Sequence, residues 1–498
     1  MSLEIDRHSV EVEELIGFRA SQVLVRAEAL VPGAGREAIE PLLADASLFL
    51  TETDLQADRM VVEGTVRCQA VYRQGEEATL RALTAQTTLN HVIDIPGTEA
   101  GMLARVRGEV EHVDVRYENG HMIFQITCGL RAQALRLAQQ KLIEAVEGMP
   151  GLETAMRAFT SVRMAAESSE MALLEERVAL PAALDARVPL MDWATVEVEE
   201  TEPDLGGVRV KGRVLAETLV SSGAEGRPAV LVRYPLALDQ LVELPEWLTG
   251  DVTVDTSVRS VETHIEPGDD GEAALVCEVA LRVCAFANAS ESAEALTDIY
   301  ATQGSALAVE RLRLDYCAAA NHVRVNDTVR GTVLIGENAP GVGTVIASQV
   351  HPSIGEWRDE NDHGRIEGVL EVTVLYMPGG SDFPASAQAE LPFSLSVPIA
   401  LNEESMIEIS VLSVEANALM SDRLEMKIHL GIACETRRRE ILDAVVGVEA
   451  GETLERRPGI VVCWPREGDT QWVLGKRYAV PAARVGAVEV DKPLVLKV

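Results

Sequence analysis

Residues 61–72 read VVEGTVRCQAVY, and two later stretches repeat their form: VRVKGRVLAETLV from Val208 and GRIEGVLEVTVLY from Gly364. Each alternates apolar and polar residues, which is the pattern of a half-buried strand. Each carries a glycine at the same place, Gly64, Gly212 and Gly368. A glycine inside a strand marks a bulge or a close backbone approach. Gly212 follows Gly64 by 148 residues (212 − 64), and Gly368 follows Gly212 by 156 (368 − 212).

A second alternating stretch follows each of these strands and ends at Pro96, Pro245 or Pro398. Proline has no N–H to donate and stops a ladder. A third block is GEVEHVDVRY, TSVRSVETHI and ISVLSVEANAL. In it the apolar phase slips by one residue, from Val110 to Val113, Val258 to Val261 and Val411 to Val414. A slip at one place in three copies predicts a β-bulge. From glycine to second valine the distances are 49, 49 and 46 residues (113 − 64, 261 − 212, 414 − 368). Asn119-Gly120 between two alternating runs predicts a hairpin.

The expected fold is therefore mainly β, with three tandem antiparallel sandwich- or barrel-like repeats. Three stretches between them have helical spacing: Leu135–Gly151, Ser292–Gly304 and Arg437–Gly451. They predict short joining helices. The domains expected are 1–150 with a linker helix, 151–303, 304–450, and a small unit at 458–498.

Composition bounds the function. The chain has 498 residues, 47% hydrophobic and only 4% aromatic, so aliphatic side chains must fill its cores. The net charge of −35 disfavours nucleic acid and anionic lipid as partners. The seven cysteines are odd in number and form no CxxC pair, which argues against a disulfide framework or zinc site and for a reducing compartment. The first residues lack an apolar export segment, and no run of about 18 apolar residues predicts a membrane span.

Catalytic signatures are absent: there is no P-loop, HExxH or GxSxG. His112 and His429 lie in strand patterns, where a satisfied or solvent-facing role is the simpler reading. The acidic loops 266–271 and 358–364 hold clustered oxygens suited to calcium, but they lack EF-hand spacing, and hairpin turns explain them more simply. No metal or cofactor is expected. An enzyme would need a site assembled between domains, recognisable as a deep pocket with carboxylates of strongly shifted pKa.

The end of the chain has a different character. PGIVVCWP is a short strand, and GDTQWVLGKRY reads as a helix capped by Asp469 or Thr470. Trp472, Gly475 and Tyr478 share a face at i, i+3 and i+6. Pro481 opens a second helical segment, and KPLVLKV closes with a strand, giving β-α-α-β.

This unit resembles the LysM module, through Gly468, Asp469, Thr470, Trp472, Leu474, Lys476, Arg477 and Tyr478, with Gly475 in place of the usual Ala. The second loop is shortened to VEVDKP, which counts against glycan binding. Tandem β-domains followed by one such unit resemble the SPOCS-domain proteins of endospore-forming bacteria, of which the SipL-like spore coat morphogenetic proteins are the best-known class. The linker segments matching that family are Glu144-Ala145-Val146, Asp298-Ile299-Tyr300 and Asp443-Ala444-Val445. The first repeat matches least well.

The resemblance implies a non-enzymatic assembly protein in the mother-cell cytoplasm, at the forespore surface and in the spore coat. It implies docking on the coat basement-layer ATPase SpoIVA through Gly468, Asp469, Thr470, Trp472, Lys476, Arg477 and Tyr478. The alternative is a peptidoglycan- or glycan-binding envelope protein. Trp472 has two readings, core packing or partner contact. Lys476 and Arg477 suit an acidic partner surface, or simply complement the helix dipole.

Overall fold

The computed structural model describes residues 3–33, 38–75, 79–248, 251–267, 272–336, 339–381, 383–453 and 459–497. The first unit contains β1 (Glu4–Leu30), β2 (Ile39–Gln56), β3 (Arg59–Gln74), β4 (Leu80–Asp94), β5 (Leu103–Glu118) and β6 (His121–Glu147). They form two antiparallel sheets, β1-β6-β5 and β2-β3-β4. The inner faces of the two sheets share one core, in which Val62 and Val66 meet Phe124 and Ile126.

The plan repeats twice. The second unit has β7 (Leu152–Leu180), β8 (Ala186–Asp204), β9 (Gly207–Ser222), β10 (Ala229–Glu243), β11 (Val252–Pro267) and β12 (Ala273–Ala301). Its sheets are β10-β9-β8 and β11-β12-β7. The third has β13 (Ser305–Leu334), β14 (Val342–Asp359), β15 (Gly364–Pro378), β16 (Ala385–Val397), β17 (Met406–Met420) and β18 (Arg423–Thr453), paired as β14-β15-β16 and β13-β18-β17.

The three glycines sit on the middle strands β3, β9 and β15, opposite Leu50, Val198 and Ile354. Each of those partners is followed by a bulge. The bulged strand crowds the glycine: a Cβ on Gly64, Gly212 or Gly368 would stand 3.0, 2.2 or 2.2 Å from the carbonyl oxygen of Phe49, Glu197 or Ser353. The valine slips are bulges too, between Val110 and His112, Val258 and Ser260, and Val411 and Ser413. Val113, Val261 and Val414 are buried, and the first valine of each pair packs half-buried against the same core. Asn119 and Gly120 both have positive φ, as a tight primed turn requires.

The expected joining helices do not form. All three segments are the outer halves of β6, β12 and β18, paired with β1, β7 and β13. The cause of the misreading is local. Bulges at Glu144, Thr297 and Val446 insert one residue. Ile143 and Val146, Leu296 and Ile299, and Val445 and Val448 therefore face the same way at a spacing of three, which imitates a helix. Ladder pairing and burial override the helix propensity of these Leu, Ala and Glu residues.

The paired outer halves form three two-stranded ribbons that pack against one another. Val10, Val12, Phe159, Ala295, Tyr316 and Leu442 share one apolar layer. The six bulge-flanking residues above form the layer at the tips. A separate apolar cluster joins the smaller sheets through Val71, Leu219 and Leu375, each seven residues after its glycine. The three units thus meet through equivalent residues, as around a pseudo-threefold axis.

The C-terminal unit has β19 (Ile460–Cys463) paired with β20 (Leu494–Lys497), and one helix, α1 (Gln471–Tyr478). The expected second helix is only a 3₁₀ turn at Ala482–Arg484, so β-α-α-β becomes β-α-turn-β. Its small core is Cys463, Leu474, Val480, Val485 and Leu496. Among the described residues no helix is long and apolar enough to cross a membrane.

Candidate functional site: the C-terminal unit and its dock

Gly468, with φ +87°, turns the chain into α1, and Thr470 is the N-cap, its hydroxyl accepting from the Val473 amide at 3.2 Å. Asp469 does not cap the helix. One of its oxygens accepts the Arg466 amide at 2.9 Å, and Arg477 donates to the other at 2.7 Å. The Arg477 hydrogen bond is the main reason its carboxyl lies below the usual range. Tyr478 packs half-buried against the unit's own core.

Trp472 and Lys476 point elsewhere. The Trp472 indole N–H donates to Asp298 Oδ2 at 2.8 Å, and Lys476 Nζ lies 2.5 Å from Asp298 Oδ1. Two residues on, the Tyr300 hydroxyl donates to the Val480 carbonyl at 2.9 Å, and its ring meets Trp472 edge-to-face with centroids 4.9 Å apart. Burial alone would raise the Asp298 carboxyl; the hydrogen bonds from Lys476 and Trp472 outweigh it and hold the group below its ordinary value. Burial pushes the Tyr300 phenol up to about 12. A Cβ at Gly475 would stand 2.5 Å from the Tyr300 hydroxyl oxygen, which accounts for glycine where Ala is usual in the module this unit resembles.

The expected site residues therefore divide into three groups. Trp472 and Lys476 meet at the dock, as does Gly475. Gly468, Asp469, Thr470 and Arg477 shape the helix start, and Tyr478 fills the unit. Trp472 is neither core of its own unit nor open to solvent. Sequence reading missed that Asp298 and Tyr300 are its partners, although DIY was already singled out as a linker motif.

The dock is specific to the second unit. The residues after the three tip bulges are Ala145, Asp298 and Gly447, and two further on stand Glu147, Tyr300 and Glu449. The three linker matches read from sequence do not superimpose on this register: Ile299 shares its layer with Val146 and Val448.

A second polar feature lies where the units meet. Arg107, Asp255 and Glu408 each sit three residues before a first bulge valine, at equivalent places on β5, β11 and β17. Arg107 pairs with Asp255, and Arg105 bridges Glu435 and Asp255. Deeper, Arg437 holds the fully buried Glu13 at 2.8 Å and Asn288 at 3.0 Å. A cavity of about 510 Å³ opens beside this network. Desolvation raises the carboxyls of Glu109, Glu167 and Glu408 within it, against the opposing Arg131, Arg105 and Arg107. No histidine lines the cavity, and burial raises its one thiol, Cys284. Carboxylates faced one by one with guanidinium groups are the mark of a structural ion-pair network rather than an acid–base pair.

Among the described residues no cluster of His, Cys, Asp or Glu could hold a metal. In loop 358–364, Asn361 and Asp362 form the tip of a hairpin and Arg358 pairs with Glu360 at 2.9 Å. In loop 266–271, residues 268–271 lie outside the described residues.

Residues 39–118, from β2 to β5, match the family model described as SipL, SPOCS domain. The chain carries a SPOCS domain. Over that span it is similar to SipL, and the match falls on the repeat expected to be the most divergent. The SPOCS span holds Gly64, its crowding bulge and the Val110–Val113 slip. Neither a curated protein nor a solved structure matches the chain.

Proposed function

We propose that this protein is a non-enzymatic assembly factor of sporulation, acting at the spore coat on the forespore surface, with the mother-cell cytoplasm as its compartment. The SPOCS match in the first unit carries the proposal. Shared glycines, bulges and axial contacts extend the SPOCS reading to the second and third units. Their packing makes a scaffold with buried ion pairs and, among the described residues, no acid–base constellation. The C-terminal unit, read as LysM-like, is the element that contacts the coat ATPase SpoIVA. The engagement of Trp472 by a carboxylate and a tyrosine favours a protein ligand over a stacked sugar.

A tagged full-length chain expressed in a sporulating host should ring the forespore and retain the ATPase on affinity beads. Diffuse fluorescence together with retention on insoluble peptidoglycan would replace this reading with the glycan-binding one.

A further inference from the structure

The dock sets two residues of one strand against one face of α1. Asp298 and Tyr300 lie two residues apart on one strand, so both point to the same side, while Ile299 points into the buried tip layer. On the other side Trp472, Gly475 and Lys476 lie on one face of α1. The groups correspond one to one. A carboxylate takes one hydrogen bond from the indole and an ion pair from the ammonium, and its Oδ1 is shared with Arg311 of β13 at 2.9 Å. A tyrosine two residues on packs its ring on Trp472 and donates to the Val480 carbonyl, in space left by the missing side chain of Gly475. Charge agrees, because residues 459–498 carry six Lys and Arg against four Asp and Glu in a chain of net charge −35. The other two ribbon tips present Ala145 and Glu147, or Gly447 and Glu449, and the unit is not docked on them.

We propose that the Trp472–Gly475–Lys476 face is a reader of extended segments bearing an aspartate followed two residues later by a tyrosine. The chain's own Asp298-Ile299-Tyr300 fills this reader in the closed form. A protein partner that uses the face presents the same pair on an exposed strand and displaces the internal copy. This last step rests on the assembly reading above. The internal copy belongs to the same chain, so a competing segment must displace an intramolecular contact. The closed chain therefore binds a competing segment far more weakly than an opened one.

The test uses the full chain and a fluorescein-labelled peptide matching Ala295–Gln303. Asp298→Lys sets two ammonium groups against each other and opens the dock without touching the reader. By fluorescence anisotropy, the Asp298→Lys chain should bind the peptide at least tenfold more tightly than the unaltered chain. Adding Trp472→Ala should abolish the gain, as should a peptide with both Asp and Tyr replaced by Ala. Equal binding by the open and closed chains, with circular dichroism unchanged, overturns the reader.

The ATPase supplies a separate arm. Tighter capture by Asp298→Lys supports competition at this face, and equal capture by both forms overturns it while the assembly role stands. Capture by neither form overturns the assembly role, and the peptide result alone then decides the reader.

Discussion

Trp472 and Asp298 lie 174 residues apart in the chain, yet the indole of one donates to the carboxylate of the other at 2.8 Å. The same carboxylate pairs with Lys476, whereas the neighbouring Arg477 pairs within its own unit, with Asp469. The two adjacent cations should therefore respond differently to reversal. Lys476→Glu should release the dock and shift the Trp472 indole N–H resonance to its solvent-exposed position. Arg477→Glu should leave that resonance in place. A shift of equal size in both variants would show that the dock does not depend on the Lys476–Asp298 pair.

Gly212 and Gly368 are crowded by backbone, and Gly64 less so. Alanine at either of the first two should cost about 1–3 kcal/mol, the usual range for forcing atoms into a packed site. Gly64→Ala should cost less, since its Cβ has 3.0 Å to the nearest oxygen. Urea midpoints of the three variants check the ranking.

Glu13 in the first unit, Asn288 in the second and Arg437 in the third form one buried contact. Arg437→Met leaves the Glu13 carboxylate buried without its closest counter-charge and should cost about 3–5 kcal/mol. Replacing Glu13 by Met as well should recover much of that loss. Because such contacts tie the three units together, denaturant should unfold them in one transition. Three separated transitions would show that the network does not couple them.

Stability should depend on pH in two opposing ways. Desolvation raises the Glu408 carboxyl in the fold, so its penalty is present above that raised pKa and is relieved as pH falls through it. Glu435 behaves oppositely: burial is outweighed by Arg105 and Arg437, its pKa is depressed, and its contribution is lost as pH falls through the folded value. Asp255 follows Glu435, held down by Arg107 and Arg105 against its burial. The denaturation midpoint should hold or rise from pH 7 to about 5, then fall below about pH 4, where ordinary carboxylates titrate. Glu408→Gln should reduce any rise, to which Glu109 and Glu167 also contribute, and leave the acid limb unchanged.

All seven cysteines are free thiols, and six are buried. Burial pushes Cys68, Cys128 and Cys434 up to about 12, so they carry almost no thiolate at pH 8. Alkylation of the native chain should be slow at these sites. Unfolding without reductant should release seven reactive thiols; five or fewer would reveal a disulfide.

Alternation of apolar residues, the three in-strand glycines and the paired valines by themselves determined that this is a chain of repeated β units with bulges at named places. Those signals are local: period two marks a strand's buried face, and a one-residue slip marks an inserted residue. The same locality explains the failure at the ribbons. A bulged strand with Ile143 and Val146 inward has the i, i+3 spacing of a helix, and only its partner strand distinguishes the two. Tertiary structure decided which charges meet. Arg107, Asp255 and Glu408 occupy equivalent strand positions that carry no shared residue type, and their pairing exists only once three units pack. It also decided what the C-terminal helix touches. GDTQW announces a capped helix start, but the partner of its tryptophan is set by where the second ribbon ends, and chain separation hides that from any local pattern.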